Sequence, residues 1–90
     1  MTDTKSVSRI AAIRSRLTAA LEPELLEITD ESHLHAGHAG ARDGRGHFHV
    51  RIASARFLGL SRLAQHRLVY DALGDLLTTD IHAVRISAEI

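Results

Sequence analysis

Residues 31–48 read ESHLHAGHAGARDGRGHF, and this stretch sets how the rest of the chain is arranged. It contains four of the six glycines and, with His49 directly after it, five of the seven histidines. Glycine is unfavourable inside a helix or a strand, so the stretch predicts a loop of about 16 residues. A loop of that length in a small domain is usually functional or disordered, and its histidines are candidate metal ligands or proton carriers.

The segments on either side of this loop alternate apolar and polar side chains, as half-buried strands do. Residues 25–30 place Leu26 and Ile28 on one face. Residues 47–54 alternate more cleanly, and the loop joins the two segments most simply as antiparallel neighbours. The apolar face of this second strand consists of Phe48, Val50 and Ile52, and its polar face of His47, His49 and Arg51.

Further out, two helices and a last strand complete the pattern. Residues 6–21 and 61–77 carry apolar side chains at helical spacing, and Pro23 ends the first helix. The first stripe consists of Val7, Ile10, Ile13, Leu17 and Leu21; the second consists of Leu63, Val69, Tyr70, Leu73, Leu76 and Leu77. His66 falls within the second stripe, so we expect a structural histidine in the core. Residues 81–90 form the last strand, with His82, Val84, Ile86 and Ala88 on one face.

This order predicts an α+β fold of two layers, a three-stranded mixed sheet with both helices on one face. The second and third strands are joined by a helix long enough for a right-handed crossover, so they should run parallel. Ninety residues make a single domain, residues 1–90. Parallel neighbours begin at the same edge of a sheet. His82, at the start of the third strand, should therefore meet the histidine-rich loop.

Composition excludes several classes of function. The chain has 11 acidic and 11 basic residues, which argues against a protein that coats nucleic acid by charge alone. It has no cysteine, and so no disulfide framework, thiol nucleophile or zinc-finger spacing. No apolar run approaches the ~18 residues that span a bilayer, and the first residues lack the apolar core of a signal peptide. We expect a cytoplasmic protein without a membrane partner.

Several short motifs, taken in order, resemble the BolA family over almost the whole chain. They begin with Leu26-Glu27-Ile28 and Asp30-Glu31-Ser32 and continue with His47-Phe48-His49-Val50, then Ser54 with Phe57-Leu58-Gly59, then His66-Arg67-Leu68-Val69-Tyr70 and Ile81-His82-Ala83. The resemblance implies a type II KH-like α-β-β-α-β fold, in agreement with the topology derived above. Two features depart from the family pattern. Gln65 stands where an arginine is common, and the Gly-x-x-Gly turn of true KH domains is absent between the helices.

The resemblance also implies a function without catalysis. Members pair with a monothiol glutaredoxin and share a 2Fe–2S cluster with it, and glutathione takes part in the pairing. One ligand in the family is the histidine of the Ile-His-Ala motif, here His82. The other is a histidine or cysteine of the loop after the first strand, which matches His35, with His33 and His38 as alternatives. A chain without cysteine binds no such cluster alone, because thiolates are its main ligands and a partner must supply them.

Two other functions stay open. The first is a DNA-binding transcriptional regulator, which would use the turn and second helix through Arg56, Arg62 and Arg67. The second is an enzyme or autonomous zinc protein using His33, His35 and His38. Three histidines can hold catalytic zinc, but no carboxylate stands out as a base and ordering a glycine-rich loop is costly. We also expect residues 34–45 to be the most mobile in the free protein.

Overall fold

A computed structural model describes residues 4–32 and 46–89 of the chain. In order, they form helix α1 (Thr4–Leu21), strand β1 (Leu25–Asp30), strand β2 (Gly46–Ala53), a 3-10 turn (Ala55–Phe57), helix α2 (Arg62–Leu73), the short helix α3 (Leu76–Thr79) and strand β3 (Ile81–Glu89). The histidines at positions 33, 35 and 38, and the predicted mobile segment, residues 34–45, lie outside the described residues.

The sheet has the predicted topology. Its strand order is β1-β2-β3, with β1 antiparallel to β2 and β2 parallel to β3. The two-layer α+β fold is confirmed, and the order of its main elements is compatible with the type II KH-like label. One layer is the sheet and the other is formed by the helices.

A single apolar core fills the space between the sheet and the helices, so both long helices lie on one face. The sheet contributes Phe48, Val50 and Ile52, as its alternation predicts. The other buried members come from α1, from the 3-10 turn and from the segment from α2 to β3: Ile13, Leu17, Leu21, Phe57, Val69, Leu73, Leu76 and Ile81. Burial of this aliphatic surface is the main favourable term for folding.

Ser54 is a buried polar residue that ties α1 to the turn after β2. Its Oγ donates a hydrogen bond to the carbonyl oxygen of Leu21 at 2.7 Å and accepts one from the Arg56 N–H at 3.1 Å. The first bond satisfies a carbonyl at the C-terminus of α1, where no intrahelical donor is left. The second caps the 3-10 turn. Ser54, one of the family-like positions, therefore has a structural role.

The predicted helix 61–77 is interrupted, which corrects the sequence interpretation. It ends at Leu73, because Gly74 adopts a φ of +53° and donates its N–H to Tyr70 at 3.0 Å. A glycine at this position commonly terminates a helix, and α3 then continues in a new direction. Arg16 fastens the junction from α1, donating to the Leu73 carbonyl at 3.2 Å and pairing with Asp75 at 2.9 Å.

The buried face of α2 is narrower than predicted. Val69 and Leu73 are fully buried, but Leu63 is 66% exposed and Tyr70 is 40% exposed. His66 is half-buried and lines an open cavity between α2 and β3, so its predicted place in the core is also corrected. The reason is geometric. The sheet and α1 cover only one side of α2, and residues 63 and 70, seven apart, lie together about 90° around the helix from Val69 and Leu73.

Candidate functional site

The candidate site lies at the sheet edge where β2 and β3 begin. The Gly46 N–H donates to the carbonyl oxygen of Asp80 at 2.9 Å, which holds the starts of the two parallel strands together. His82 is at this edge, as the topology predicts. The edge is also where residues 33–45 leave β1 and enter β2, so it is the point at which the histidine-rich segment joins the sheet.

Gly46 allows the chain to enter β2 directly beside a core ring. A Cβ atom at this position would lie 2.5 Å from Cε2 and 2.7 Å from Cζ of Phe48, and 3.3 Å from the Ser32 hydroxyl. Separations below 3 Å are not tolerated by packed carbon atoms. A side chain at position 46 would therefore displace either Phe48 or the start of β2. The glycine is needed here for close approach.

A β-bulge moves His82 out of the alternation of β3. Gly46 pairs with Ile81 and His47 pairs with Ala83, so His82 is an extra residue of β3 at this point of the register. Ile81 consequently faces the core, with 1% exposure, whereas His82 is exposed. The predicted placement of His82 with Val84 on the apolar face is corrected. Bulges re-aim side chains and are frequent next to functional sites.

His47 lies against the exposed histidine. The two ring centroids are 5.0 Å apart and the ring planes are inclined at 48°. His47 belongs to the polar face of β2, but it is only 7% exposed, so this end of the polar face is covered. Its ring therefore supports one side of the His82 ring. Sequence reasoning did not single out His47 as a site residue, although its position just after the loop was the available signal.

Glu31 and Ser32 fasten the other end of the loop to the same edge. The Ser32 Oγ accepts the His47 N–H at 3.1 Å, and the Ser32 N–H donates to Asp30 Oδ1 at 2.8 Å. The Glu31 N–H donates to the His47 carbonyl at 2.7 Å. Together these bonds hold residues 30–32 beside the start of β2. The family-like motif Asp30-Glu31-Ser32 therefore has a structural role at this edge.

The Glu31 side chain adds a charged contact with β3. Its carboxylate pairs with Arg85 at 2.8 Å, and the Glu31 side chain is 17% exposed whereas that of Arg85 is 64% exposed. The hydrogen bond from Arg85 to Glu31, with the attraction between their charges, raises the pKa of the Arg85 guanidinium. Both residues line a cavity of about 190 Å³ together with His47 and Ala83. All three strands are thus connected at this edge.

The chemistry available at the edge is nitrogen ligation. An exposed imidazole at His82 can donate a ring nitrogen to a metal. Within residues 4–32 and 46–89, no three histidine, aspartate or glutamate side chains are grouped as a metal site. The donor set fits a cluster that other ligands complete, because nitrogen ligands replace only some of the thiolates of an iron–sulfur cluster. His82 would contribute one ligand there.

The three arginines proposed for nucleic acid have different surroundings. Arg56 forms an ion pair with Glu22 at the end of α1. Arg62 lines the cavity between α2 and β3, whereas Arg67 is exposed and does not line it. Because Arg62 and Arg67 are five residues apart in one helix, they point about 140° apart around its axis.

The chain is an α+β domain of the BolA family: the family model described as BolA-like protein matches residues 17–89. BolA-like protein 1 of Mus musculus is 47% identical over 79 residues, which cover 88% of this chain and 56% of the mouse protein. The chain thus spans little more than half the length of that relative. The DNA-binding transcriptional regulator BolA of Escherichia coli is 39% identical to this chain. The matched region covers 82% of this chain and 68% of the Escherichia coli protein.

A solved structure has the same fold. The BolA domain of SufE1 from Arabidopsis thaliana superposes with a TM-score of 0.77 at 37% sequence identity, covering 99% of this chain and 94% of that chain. The family and fold expected from the resemblance are therefore confirmed. In the described part of the chain, none of the helices has the length and apolar character to traverse a bilayer.

Proposed function

We propose that the protein is a non-enzymatic iron–sulfur adaptor that completes a 2Fe–2S cluster jointly with a monothiol glutaredoxin and glutathione. The observation that carries the proposal is the β-bulge that lifts His82 out of the core-facing alternation and exposes its ring at the loop edge. A residue with only a packing role would gain nothing from this displacement. An exposed imidazole beside a fixed neighbouring ring is suited to reach a ligand carried by another molecule.

The chain's own residues would orient the ligand and restrict its motion. His47 supports the His82 ring from one side, and the Ser32 and Glu31 bonds hold the start of β2 in place. His35 is proposed as the second ligand, with His33 and His38 as alternatives. The bound cluster would supply electron-transfer or sensing chemistry, and its thiolate ligands would come from the partner and glutathione.

The charged groups on the sheet favour this role over catalysis. The carboxylates of Glu27 and Glu89 both pair with Arg51, and that of Glu31 pairs with Arg85. Each of these carboxylates accepts a hydrogen bond from a guanidinium, which engages an oxygen atom that a general base would need. These side chains serve as links between strands.

Reconstitution tests this function directly. The protein, a monothiol glutaredoxin and glutathione are combined with iron and sulfide, and the visible absorption spectrum is recorded. We expect a heteromeric species whose spectrum differs from that of the glutaredoxin cluster alone, and loss of that species in His82→Ala. His49→Ala is the matched control, since His49 bonds to Ser87 at 2.8 Å away from the edge. An unaltered glutaredoxin spectrum on mixing with the wild-type protein would contradict the proposal.

We infer DNA binding as the second candidate, favoured by the name of the Escherichia coli relative and by Arg62. No ion pair or hydrogen bond engages the Arg62 side chain within the described residues. Phosphate contacts would make the affinity for DNA fall steeply with salt. The affinity for duplex DNA is measured by titration at about 50 mM and about 200 mM salt. A salt-independent affinity, or no binding at the lower concentration, would eliminate the candidate.

A further inference from the structure

The outer edge of β3 has backbone groups without a strand partner in the described sheet. β3 is the last strand in the order β1-β2-β3. The Glu89 carbonyl accepts the Ser54 N–H at 3.3 Å, so the backbone of Glu89 faces β2. Strand residues alternate in this respect, so Arg85 and Ser87 also face β2. The backbone N–H and C=O groups of Val84, Ile86 and Ala88 therefore point away from the sheet. Such an edge is a template for another strand.

An open groove runs along this edge beneath α2. The cavity has a volume of about 360 Å³ and lies between the first turns of α2 and the end of β3. Its lining residues are Arg62, Gln65, His66, Ile86, Ser87, Ala88 and Glu89. The Gln65 amide is occupied, because it donates to the carbonyl oxygens of Phe57 and Leu60, both at 3.2 Å. Groove and unpaired backbone groups thus coincide at Ile86 and Ala88.

Among the charged residues that line this groove, Arg62 is the one outside any ion pair of the described residues. Glu89 pairs with Arg51 on the polar face of the sheet, and Arg85 pairs with Glu31. In the part of the chain that the structure describes, the side chains of Arg62 and His66 enter no ion pair or hydrogen bond. A peptide segment that fills the groove should therefore bind more tightly when its acidic side chains face α2.

From these observations we propose that the groove between α2 and β3 binds an extended, acidic peptide segment of a partner protein as a fourth strand. Backbone hydrogen bonds to Val84, Ile86 and Ala88 would supply sequence-independent affinity, and Arg62 and His66 would select acidic side chains. This inference does not depend on the proposed cluster function, which uses the opposite end of β3.

A second copy of the chain fits the groove less well. Two β3 strands pairing about Ser87 would place Arg85 opposite Glu89 of the other copy. This pair adds little, because both side chains already form ion pairs within their own copy. The same symmetry would bring the Arg62 and His66 side chains of both copies together at the dyad, because they lie beside residues 86–89. The two Arg62 guanidinium groups would repel each other at this junction and oppose association. The acidic peptide relieves this repulsion and is therefore the favoured occupant.

Three synthetic octapeptides test the inference on the free protein, without iron or glutaredoxin. The probe is acetyl-(Glu-Thr)₄-amide, which can form a strand with its acids on one face. The same Glu-Thr peptide with every backbone nitrogen methylated has the same charge but no backbone N–H groups between its residues, and it cannot form a ladder. Acetyl-(Lys-Thr)₄-amide reverses the charge. Amide hydrogen exchange is followed residue by residue by NMR.

With the Glu-Thr peptide, we expect slower exchange at the amides of Val84, Ile86 and Ala88, and no such effect with the other two peptides. Arg62→Glu should weaken binding by about tenfold, as loss of a charge-assisted contact does. Arg67→Glu, on the same helix but outside the groove, should leave binding unchanged. Equal binding of the N-methylated peptide would reduce the effect to charge alone and overturn the proposal. Concentration-dependent protection of the three amides without peptide would identify a second copy instead and would also overturn it.

Discussion

Gly46→Ala should destabilise the protein because the new methyl group has no space. Its carbon would be 2.5 Å from Cε2 of Phe48, and the Phe48 ring is 1% exposed and cannot swing into solvent. Forcing one extra methyl group into a packed core costs about 1–3 kcal/mol. In a domain of this size, a loss of about 1 kcal/mol lowers the melting temperature by about 4–8 °C.

The clash can be isolated with a double-mutant cycle. Phe48→Leu removes both ring atoms that the methyl group would meet, at a cost of its own from the lost core volume. Gly46→Ala should then be less harmful in the Phe48→Leu background, with a favourable coupling of about 1 kcal/mol between the two changes. Urea unfolding at equilibrium measures all four proteins. Strict additivity of the two substitutions, or a Gly46→Ala protein as stable as the wild type, would refute the close-approach reasoning.

Three further substitutions separate structural roles elsewhere, each measured by urea unfolding. Ser54→Ala should cost about 1–3 kcal/mol, because it leaves the buried Leu21 carbonyl without a donor; a change within error would contradict this. His66→Ala should lower the free energy of unfolding by less than about 1 kcal/mol, since removal of a half-buried side chain at a groove leaves no sealed cavity. A larger loss would indicate that His66 packs in the core. Gly74→Ala should cost about 1 kcal/mol from backbone strain at a φ of +53°, and a stabilised protein would exclude that strain.

The sequence was sufficient for the topology because two local signals agreed with each other. The alternation of residues 47–54 identified the core face of β2 with Phe48, Val50 and Ile52, and all three are buried. The length of the segment between β2 and β3 required a crossover, which made the strands parallel. From these two facts alone, His82 could be placed at the loop edge of the sheet.

The bulge at His82 was not predictable from alternation. Periodicity assigns each residue of β3 a face, but it does not register an inserted residue, which appears only when the pairing with β2 is known. The same limit applies to His47: its polar face was predicted, but not its burial against a second histidine ring. A pattern within one strand contains no information about a contact between two strands.

The extent of the second helix was misjudged for a different reason. Gly74 was visible in the sequence as a helix-terminating residue, but the apolar spacing continued through Leu76 and Leu77 and suggested one uninterrupted stripe. The burial of Leu63 was overestimated because spacing shows which residues share a face, not how far the neighbouring layer extends over it. The neighbouring layer does not cover Leu63, and its side chain is exposed.

Nitrogen coordination by His82 is the central claim, and pulsed electron paramagnetic resonance of the reduced mixed complex tests it most directly. The complex of this protein with a monothiol glutaredoxin, glutathione and the 2Fe–2S cluster is prepared with wild-type, His82→Ala and His49→Ala proteins. We expect couplings from coordinated imidazole nitrogen in the wild-type and His49→Ala complexes. In the His82→Ala preparation the couplings from His82 should disappear, so that only those of the proposed loop ligand are left in any mixed cluster that forms. Nitrogen couplings that persist unchanged in the His82→Ala complex would contradict the assignment of His82 as a ligand.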